Sequence, residues 1–391
     1  MTGRPVRNGG QRGARSAACS RVLIAAVGLS LVPGVLPAQD ADQARSDTVA
    51  TPGSTLVPLP VLFYQPETEF GFGGLVSYYF WLTDPPAIGS GERFQPSSLS
   101  VIAIYTTRKQ IITALAGELW LGDGRWRVLG DLGVTKFPTK FWGVGNDTPE
   151  EAEEDYTPLS FNSLVEVQRG IGSGLFLGGT LQIGYRELRE VEQDGLLASG
   201  TIPGSDDGSV VGLGLLVSWD TRDNTVYPRS GWYNQVRAAL YDGFFGSDYD
   251  FGRYVVDLRA YGAPLESHVV ALRGLGVASS GTPPFDLMPE LGGDRLLRGY
   301  FQGRYLDRQL LALQGEYRLP VWWRIGAVGF AAVGQVADRW GDFAFDGFHA
   351  SVGGGIRFLI SPEEGLNLRA DYGWGFDVSS GGFYLSIGEA F

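Results

Sequence analysis

The stretch LNLRADYGW, residues 366–374, sorts its side chains onto two unlike faces. Leu366, Leu368, Ala370, Tyr372 and Trp374 share one side; Asn367, Arg369, Asp371 and Gly373 share the other. Successive side chains of a β-strand point to opposite faces, so this period of two predicts a strand with one apolar and one polar face. The pattern recurs in VVGLGLLVSWD, where Val211, Leu213, Leu215, Val217 and Trp219 oppose Gly212, Gly214, Ser218 and Asp220. It recurs again in LLALQGEYRL, where Leu311, Leu313, Gly315, Tyr317 and Leu319 oppose Gln314, Glu316 and Arg318. From about residue 56 to the end, helical periodicity is almost absent.

Such strands fit a soluble sandwich with the apolar face inside, or a transmembrane barrel with the apolar face in lipid and a polar lumen. Three features favour the barrel. The predicted strands run about nine to twelve residues, the length that crosses a bilayer when tilted. Aromatic residues gather at strand ends, as in Tyr78-Tyr79-Phe80-Trp81, Trp120, Trp126, Trp232 and Trp322-Trp323, as an interfacial girdle would. The polar faces hold charges and glycines, which suit a wet lumen rather than a dry core. About sixteen strands are expected, with centres near 61, 75, 102, 115, 129, 163, 179, 214, 236, 255, 272, 313, 329, 354, 370 and 387. An even number is what a closed bacterial barrel requires. Connections alternate between longer ones (83–96, 136–156, 188–207, 280–307 and 338–347) and tight ones (near 122–124, 221–230 and 318–323).

The first residues have a different character. Arg4, Arg7, Arg12, Arg15 and Arg21 precede the apolar run VLIAAVGLSLVPGVLPA, and no acid lies among them. A charged lead, an apolar segment and a small-residue end predict a cleaved secretory signal over residues 1–38. A polar lead-in over 39–54 and a barrel domain over 55–391 are expected to follow. Cys19 would leave with the signal, and the remainder has no Cys and so no disulfide. Removing five of the 31 basic residues leaves 26 against 43 acids, a net charge of −17. A chain that acidic makes a poor nucleic-acid binder. Only His268 and His349 are available as a catalytic base, neither in a recognisable triad context, so no enzyme activity, metal or other cofactor is expected.

Three motifs stand out. The C-terminal stretch GGFYLSIGEAF puts Phe383, Leu385, Ile387 and the last residue, Phe391, at odd spacing on one face, interrupted by Glu389. A final strand ending in an aromatic can act as an address read by strand addition in the outer-membrane assembly machinery. WDTRDNTVYPRSGWY, residues 219–233, carries turn chemistry in Asp220, Arg222, Asp223, Asn224, Pro228 and Gly231. Its plain reading is a solvated tight turn. LGGDRLLRGYFQG, residues 291–303, places Arg298-Gly299-Tyr300 in a glycine-rich loop between two long strands. On residue types alone, Arg298 reads as an exposed surface arginine.

D-x-R-D-N followed by P-x-x-G-W resembles the periplasmic turn of barrels in the BamA/TamA superfamily, the outer-membrane assembly and translocation factors that include the bacterial surface antigen barrel domain. Residues 291–303 resemble the loop of that family that folds back into the lumen with an Arg-Gly-Phe/Tyr tip. GEYRLP (315–320), FWGVGNDTPEEAEEDY (141–156) and PETEFGFGG (66–74) resemble the following strand, an earlier surface loop and the first hairpin. The five motifs occur in family order along residues 56–391. The resemblance implies a bacterial outer-membrane β-barrel, with outer-membrane lipid and the assembly machinery as partners. It also implies client proteins that pass into lipid at a seam between the first and last strands.

In the family, the loop arginine is buried and meets an Asp in G-x-x-x-F-x-D-x-G. Here Gly326, Phe330 and Gly334 fit, but Ala332 stands in place of the Asp. Inward parity leaves Glu316 and Asp371 as the partners expected for Arg298, Glu316 first. The family also places POTRA domains of about seventy-five residues each ahead of the barrel; only 39–54 stands there here, so a member lacking them, served by a separate periplasmic partner, is expected. Pro58 and Pro60 either shorten the first strand and weaken that seam or simply precede the strand. Against an insertion or translocation factor stand two alternatives: a passive or substrate-specific pore whose acidic lumen favours cations, and a structural surface antigen.

Overall fold

The computed structural model describes residues 54–82, 96–122, 124–362, 365–378 and 381–391. The expected signal segment and nearly all of the lead-in lie outside these residues.

Alternation produces strands along the whole described chain. The first four are β1 (Thr55–Gln65), β2 (Glu69–Phe80), β3 (Ser97–Thr106) and β4 (Ile111–Leu121). Next come β5 (Trp126–Lys136), the short β6 (Thr139–Phe141), β7 (Glu154–Gly172), β8 (Leu175–Arg189) and β9 (Gly208–Asp220). After them run β10 (Gly231–Tyr241), β11 (Phe251–Gly262) and β12 (Val269–Gly281). A two-residue ribbon, β13 (Glu290–Leu291) with β14 (Tyr305–Leu306), lies inside the loop that follows. The wall closes with β15 (Gln309–Trp322), β16 (Ile325–Ala337), β17 (His349–Ser361), β18 (Leu366–Gly375) and β19 (Gly382–Ile387).

Leaving aside β6, β13 and β14, sixteen strands pair antiparallel with their chain neighbours, and β1 meets β19. The result is a closed sixteen-stranded barrel, and each expected strand centre falls within one of its strands. Among the described residues no helix is long and apolar enough to cross a membrane; the only helical pieces are three-residue turns.

The faces divide as barrel physics requires. Leu215, Leu313, Leu62 and Ile356 are exposed on the outside, whereas Asn367, Arg369 and Asp371 are buried toward the lumen. Exposed aromatics ring both ends. Trp232, Trp322 and Trp323 mark the end with tight turns; Trp340, Phe345, Trp374 and Phe376 mark the end with long loops.

The lumenal face is not uniformly polar. Phe63, Leu75, Ile102, Ile104 and Ile112 form a buried apolar cluster inside β1–β4, a departure from the polar lumen expected of such a barrel. Of the longer connections expected, 83–96 lies almost wholly outside the described residues. β15 also continues through Trp322, which confines the next turn to two residues.

Pro58 and Pro60 lie inside β1, paired with Val76 and Gly74 in an unbroken register with β2. A proline can hold a paired position only where its missing N–H is not asked to bond to that partner. Both residues therefore present no donor on the opposite edge, at positions that the Tyr64–Leu385 register places just past the end of β19. Along that edge a single residue pair, Tyr64 with Leu385, joins the first and last strands, against eleven pairs between β1 and β2. The Tyr64 and Phe383 rings meet there with centroids 5.7 Å apart.

An Arg placed on the lipid face should be far costlier than one in the lumen. Leu215→Arg, at the most exposed leucine of the outer wall, is expected to cost about 2–4 kcal/mol at the bilayer midplane. A urea titration of the barrel folded into lipid vesicles, read by heat-modifiable electrophoretic migration, would measure this.

Candidate functional site: the loop locked in the lumen

The loop between β12 and β15, residues 282–308, turns back into the barrel. Its tip must pack backbone against backbone, and two glycines allow it. Gly299 adopts φ +114, where a Cβ would lie 2.7 Å from the Gly375 nitrogen. A Cβ on Gly373 of β18 would lie 2.5 Å from the Arg298 carbonyl carbon. Any side chain at either position would push the tip off the wall.

Arg298 is 2% exposed. Its two terminal nitrogens donate to Asp371 of β18 and Glu316 of β15, and the Phe330 ring lies 3.5 Å from its guanidinium carbon. Arg298 is thus a buried cation held by two carboxylates and one aromatic face, not a surface arginine.

The carboxylates are shared in turn. Arg318 donates through Nε to Glu316 at 2.8 Å, and Arg357 donates to Asp371. Arg357 also donates to Glu389 at 2.8 Å, and Glu389 lies 3.7 Å from Arg318. Arg369 donates to Asp294 of the loop and stands 3.7 Å from Asp371. Arg298, Arg318, Arg357 and Arg369 therefore alternate with Glu316, Asp371, Glu389 and Asp294, four cations against four anions. A buried charge costs several kcal/mol unless paired, and here each charge has an opposite neighbour.

Ala332 sits among Leu291, Leu296, Leu297, Tyr300 and Leu310 in a buried apolar cluster. The loop is gripped there by packing, while the ionic ring holds Arg298 through β15 and β18. The lack of an Asp at 332 thus leaves no unpaired arginine.

Further bonds fix the rest of the loop. The Gly299 N–H donates to the Tyr384 hydroxyl at 3.0 Å. Tyr300 is 1% exposed, and its hydroxyl donates to the Ala350 carbonyl at 3.0 Å. Arg304 donates to the Thr148 carbonyl at 2.6 Å, and the Gly145 N–H donates to the Leu306 carbonyl at 2.8 Å. The 137–153 loop is thereby tied down onto the lumenal one. Glu67, in the β1–β2 turn, accepts the Gln302 N–H at 2.6 Å.

The turn after β9 is not a solvated tight turn. Arg222 is 7% exposed, pairs with Asp220 and stacks 4.6 Å from the centroid of Tyr233. Asp223 Oδ1 accepts the N–H groups of Asn224, Arg229 and Ser230; Asn224 Oδ1 accepts those of Val226 and Tyr227. Pro228 is buried, and Gly231 takes φ +99. The turn folds beneath the barrel, bringing Tyr227 against Gly365 and to 5.8 Å from Arg318.

The C-terminal stretch also departs from the sequence expectation. Phe383, Leu385 and Ile387 do lie on the outer face of β19. Gly388, at φ +88, ends the strand, and Phe391 turns inward to pack with Tyr261, Ala271 and Ala390. The same turn carries Glu389 into the ionic ring, with Asn367 donating to it at 2.9 Å.

Sequence reasoning missed Arg318, Arg357, Arg369, Asp294 and Glu389. Parity offered a signal for two of them: Arg318 lies two residues from Glu316, and Arg369 two from Asp371, on the same lumenal faces.

The sequence model of the Omp85 superfamily domain matches residues 120–391. No curated protein matches the chain by sequence. Among solved structures, BamA from Haemophilus ducreyi lacking POTRA domains 1–3 is similar, with a TM-score of 0.60 and 13% identity over 86% of this chain and 70% of that one. CdiB from Acinetobacter baumannii follows at a TM-score of 0.56 and 12% identity over 86% of this chain and 59% of that one. CdiB from Escherichia coli has a TM-score of 0.56 and 10% identity over 84% and 61%. The chain thus spans about 60% of the length of either CdiB. At these identities the likeness is one of fold.

Removing Arg298 would strip a counter-charge from Glu316 and Asp371, both with fully buried side chains. Arg298→Ala is expected to cost about 3–5 kcal/mol, with Arg298→Lys recovering only part because it lacks the fork. Urea unfolding of the purified barrel measures both.

Glu67 makes a pH prediction. Burial, reinforced by Asp294 and Glu290, pushes its carboxyl from 4.5 up to about 7. Between those values the native state keeps a proton that the unfolded chain has released. The stability this group contributes is therefore full below 4.5 and is lost as pH rises through 7. Glu67→Gln keeps an acceptor for Gln302 and removes the charge, so it should raise the melting midpoint at about pH 8 and change little at about pH 4.

Proposed function

The chain belongs to the Omp85 superfamily, and from that premise we propose that it works in the bacterial outer membrane, without catalysis, in protein insertion or translocation at a lateral seam. The observation that carries this reading is the closure of the barrel. One residue pair, Tyr64 with Leu385, joins β1 to β19, and Pro58 and Pro60 remove two donors from the same edge. The last four residues turn into the lumen and add nothing to the seam.

Separation there costs few backbone hydrogen bonds and exposes an edge that can pair with an incoming strand. The role of the ionic ring follows from its position. It ties β15, β17, β18 and the loop into one rigid body beside β19, so that opening is confined to the β1–β19 junction. Arg298-Gly299-Tyr300 is the anchor of that body. On this reading Phe383, Leu385 and Ile387 form the strand face that the assembly machinery engages while the barrel itself is made. Client proteins and a separate periplasmic partner are the partners this role requires.

The register supplies the test. Tyr64→Cys with Leu385→Cys should form a disulfide in outer membranes, because directly opposed strand positions bring the α-carbons within about 7 Å. If the locked barrel fails to restore the defects of a deletion strain until reductant is added, seam opening is part of the function. Full rescue by the locked form would overturn the seam reading and favour a pore or a structural surface protein.

A further inference from the structure

Beside the balanced ionic ring lies a second set of charges that does not balance. Arg259 of β11 and Arg273 of β12 stand directly opposite each other in the register. Like charges in that position repel, and one carboxylate holds them together. Asp257 accepts from Arg259 Nε at 3.0 Å and from Arg273 Nε and Nη2, both at 3.0 Å.

A third arginine is then brought to the pair. Arg273 donates to the Arg295 carbonyl at 3.4 Å, and Gln314 donates to the same oxygen at 2.8 Å. The backbone of the loop tip is thus pinned above the pair. The Arg295 side chain is exposed to the lumen and has no hydrogen-bond or ion-pair partner among the described residues. Its sequence neighbour Asp294 is committed to Arg369. Outside the ring, Arg259, Arg273 and Arg295 stand against Asp257, a local excess of two positive charges; Asp294, which attracts Arg295, is already shared with Arg369. Enclosure by the barrel wall pushes the Arg295 guanidinium below its usual range; Asp294 opposes the shift, and repulsion from Arg259, Arg273 and Arg369 adds to it.

A free guanidinium fixed by its backbone beside two others is an arrangement that lacks an anion. The planar fork of arginine matches the paired oxygens of carboxylate and phosphate groups. The geometry points to an oxyanion-binding site in the lumen, formed by Arg295 with Arg259 and Arg273, that takes a carboxylate or a phosphate-type anion. In this part of the lumen the field is positive, although the chain as a whole is acidic. A lumen favouring cations throughout, as net charge alone suggests, does not describe the region under the loop tip.

A ligand that binds only the folded barrel raises its stability by mass action. The full chain, purified in detergent, would be melted in inorganic phosphate and in a short glutamate-rich peptide, each against chloride at matched ionic strength. A saturable rise in the melting midpoint is expected with at least one probe. Arg295→Gln should abolish that rise. It should also melt no lower than the unsubstituted chain in chloride, because it removes a repelling charge and leaves the pinned carbonyl in place. Arg339→Gln, at an exposed arginine paired with Asp338, should keep the full response and controls for general charge. A response to phosphate alone identifies a free ion as the occupant; a response to the peptide alone identifies carboxylates on a chain. No rise with either probe, or an equal rise in Arg295→Gln, overturns the site.

Discussion

A buried arginine is tolerable only where opposite charges meet it, and the interior of this barrel is organised around that requirement. Arg298 enters from a loop, yet its counter-charges sit on β15 and β18, which the barrel wall holds apart. Satisfying it therefore fixes the depth of the loop, its orientation and the spacing of those strands. Each carboxylate that serves Arg298 also serves another arginine, Arg318 or Arg357. The ring behaves as one unit, because removing any member leaves a neighbour short of a counter-charge in a place that water reaches poorly.

The seam shows the opposite economy. Between β1 and β19 the structure has one residue pair, two prolines turned toward the gap and a last strand of six residues. Among the described residues no ion pair crosses it: the ring ends at Glu389, which binds back to β15 and β17. On the proposed function, rigidity on one side and a single residue pair on the other would place the lowest cost of deformation at this junction. The apolar cluster inside β1–β4 would, on that function, let the first sheet segment hold together by its own packing.

The same separation of roles appears in the charges. The ring is balanced, and the set beneath the loop tip is not. A balanced network holds structure, whereas an excess of charge exposed to the lumen is free to act on something that enters it. Both sets hang from adjacent residues of one loop, Asp294 and Arg295, which point to opposite duties within a single turn of chain.

The alternation in LNLRADYGW and its fellows determined the strands, their number, their outward faces and the barrel, because a period of two along a strand needs no knowledge of what lies across from it. The inward parity of Glu316 and Asp371 was legible for the same reason. The rest depended on which strands the closed wall brings together. Arg357 and Glu389 become neighbours only across strands, and Ala332 meets Leu291 only once the loop is inside. Phe391 looked like the continuation of an outer face, yet the positive φ of Gly388 sends it inward. The 219–233 stretch read as a solvated turn because nothing local places Tyr227 against Gly365. Local pattern decides what each strand is; long-range closure decides what each lumenal charge meets, and only the tertiary structure holds that pairing.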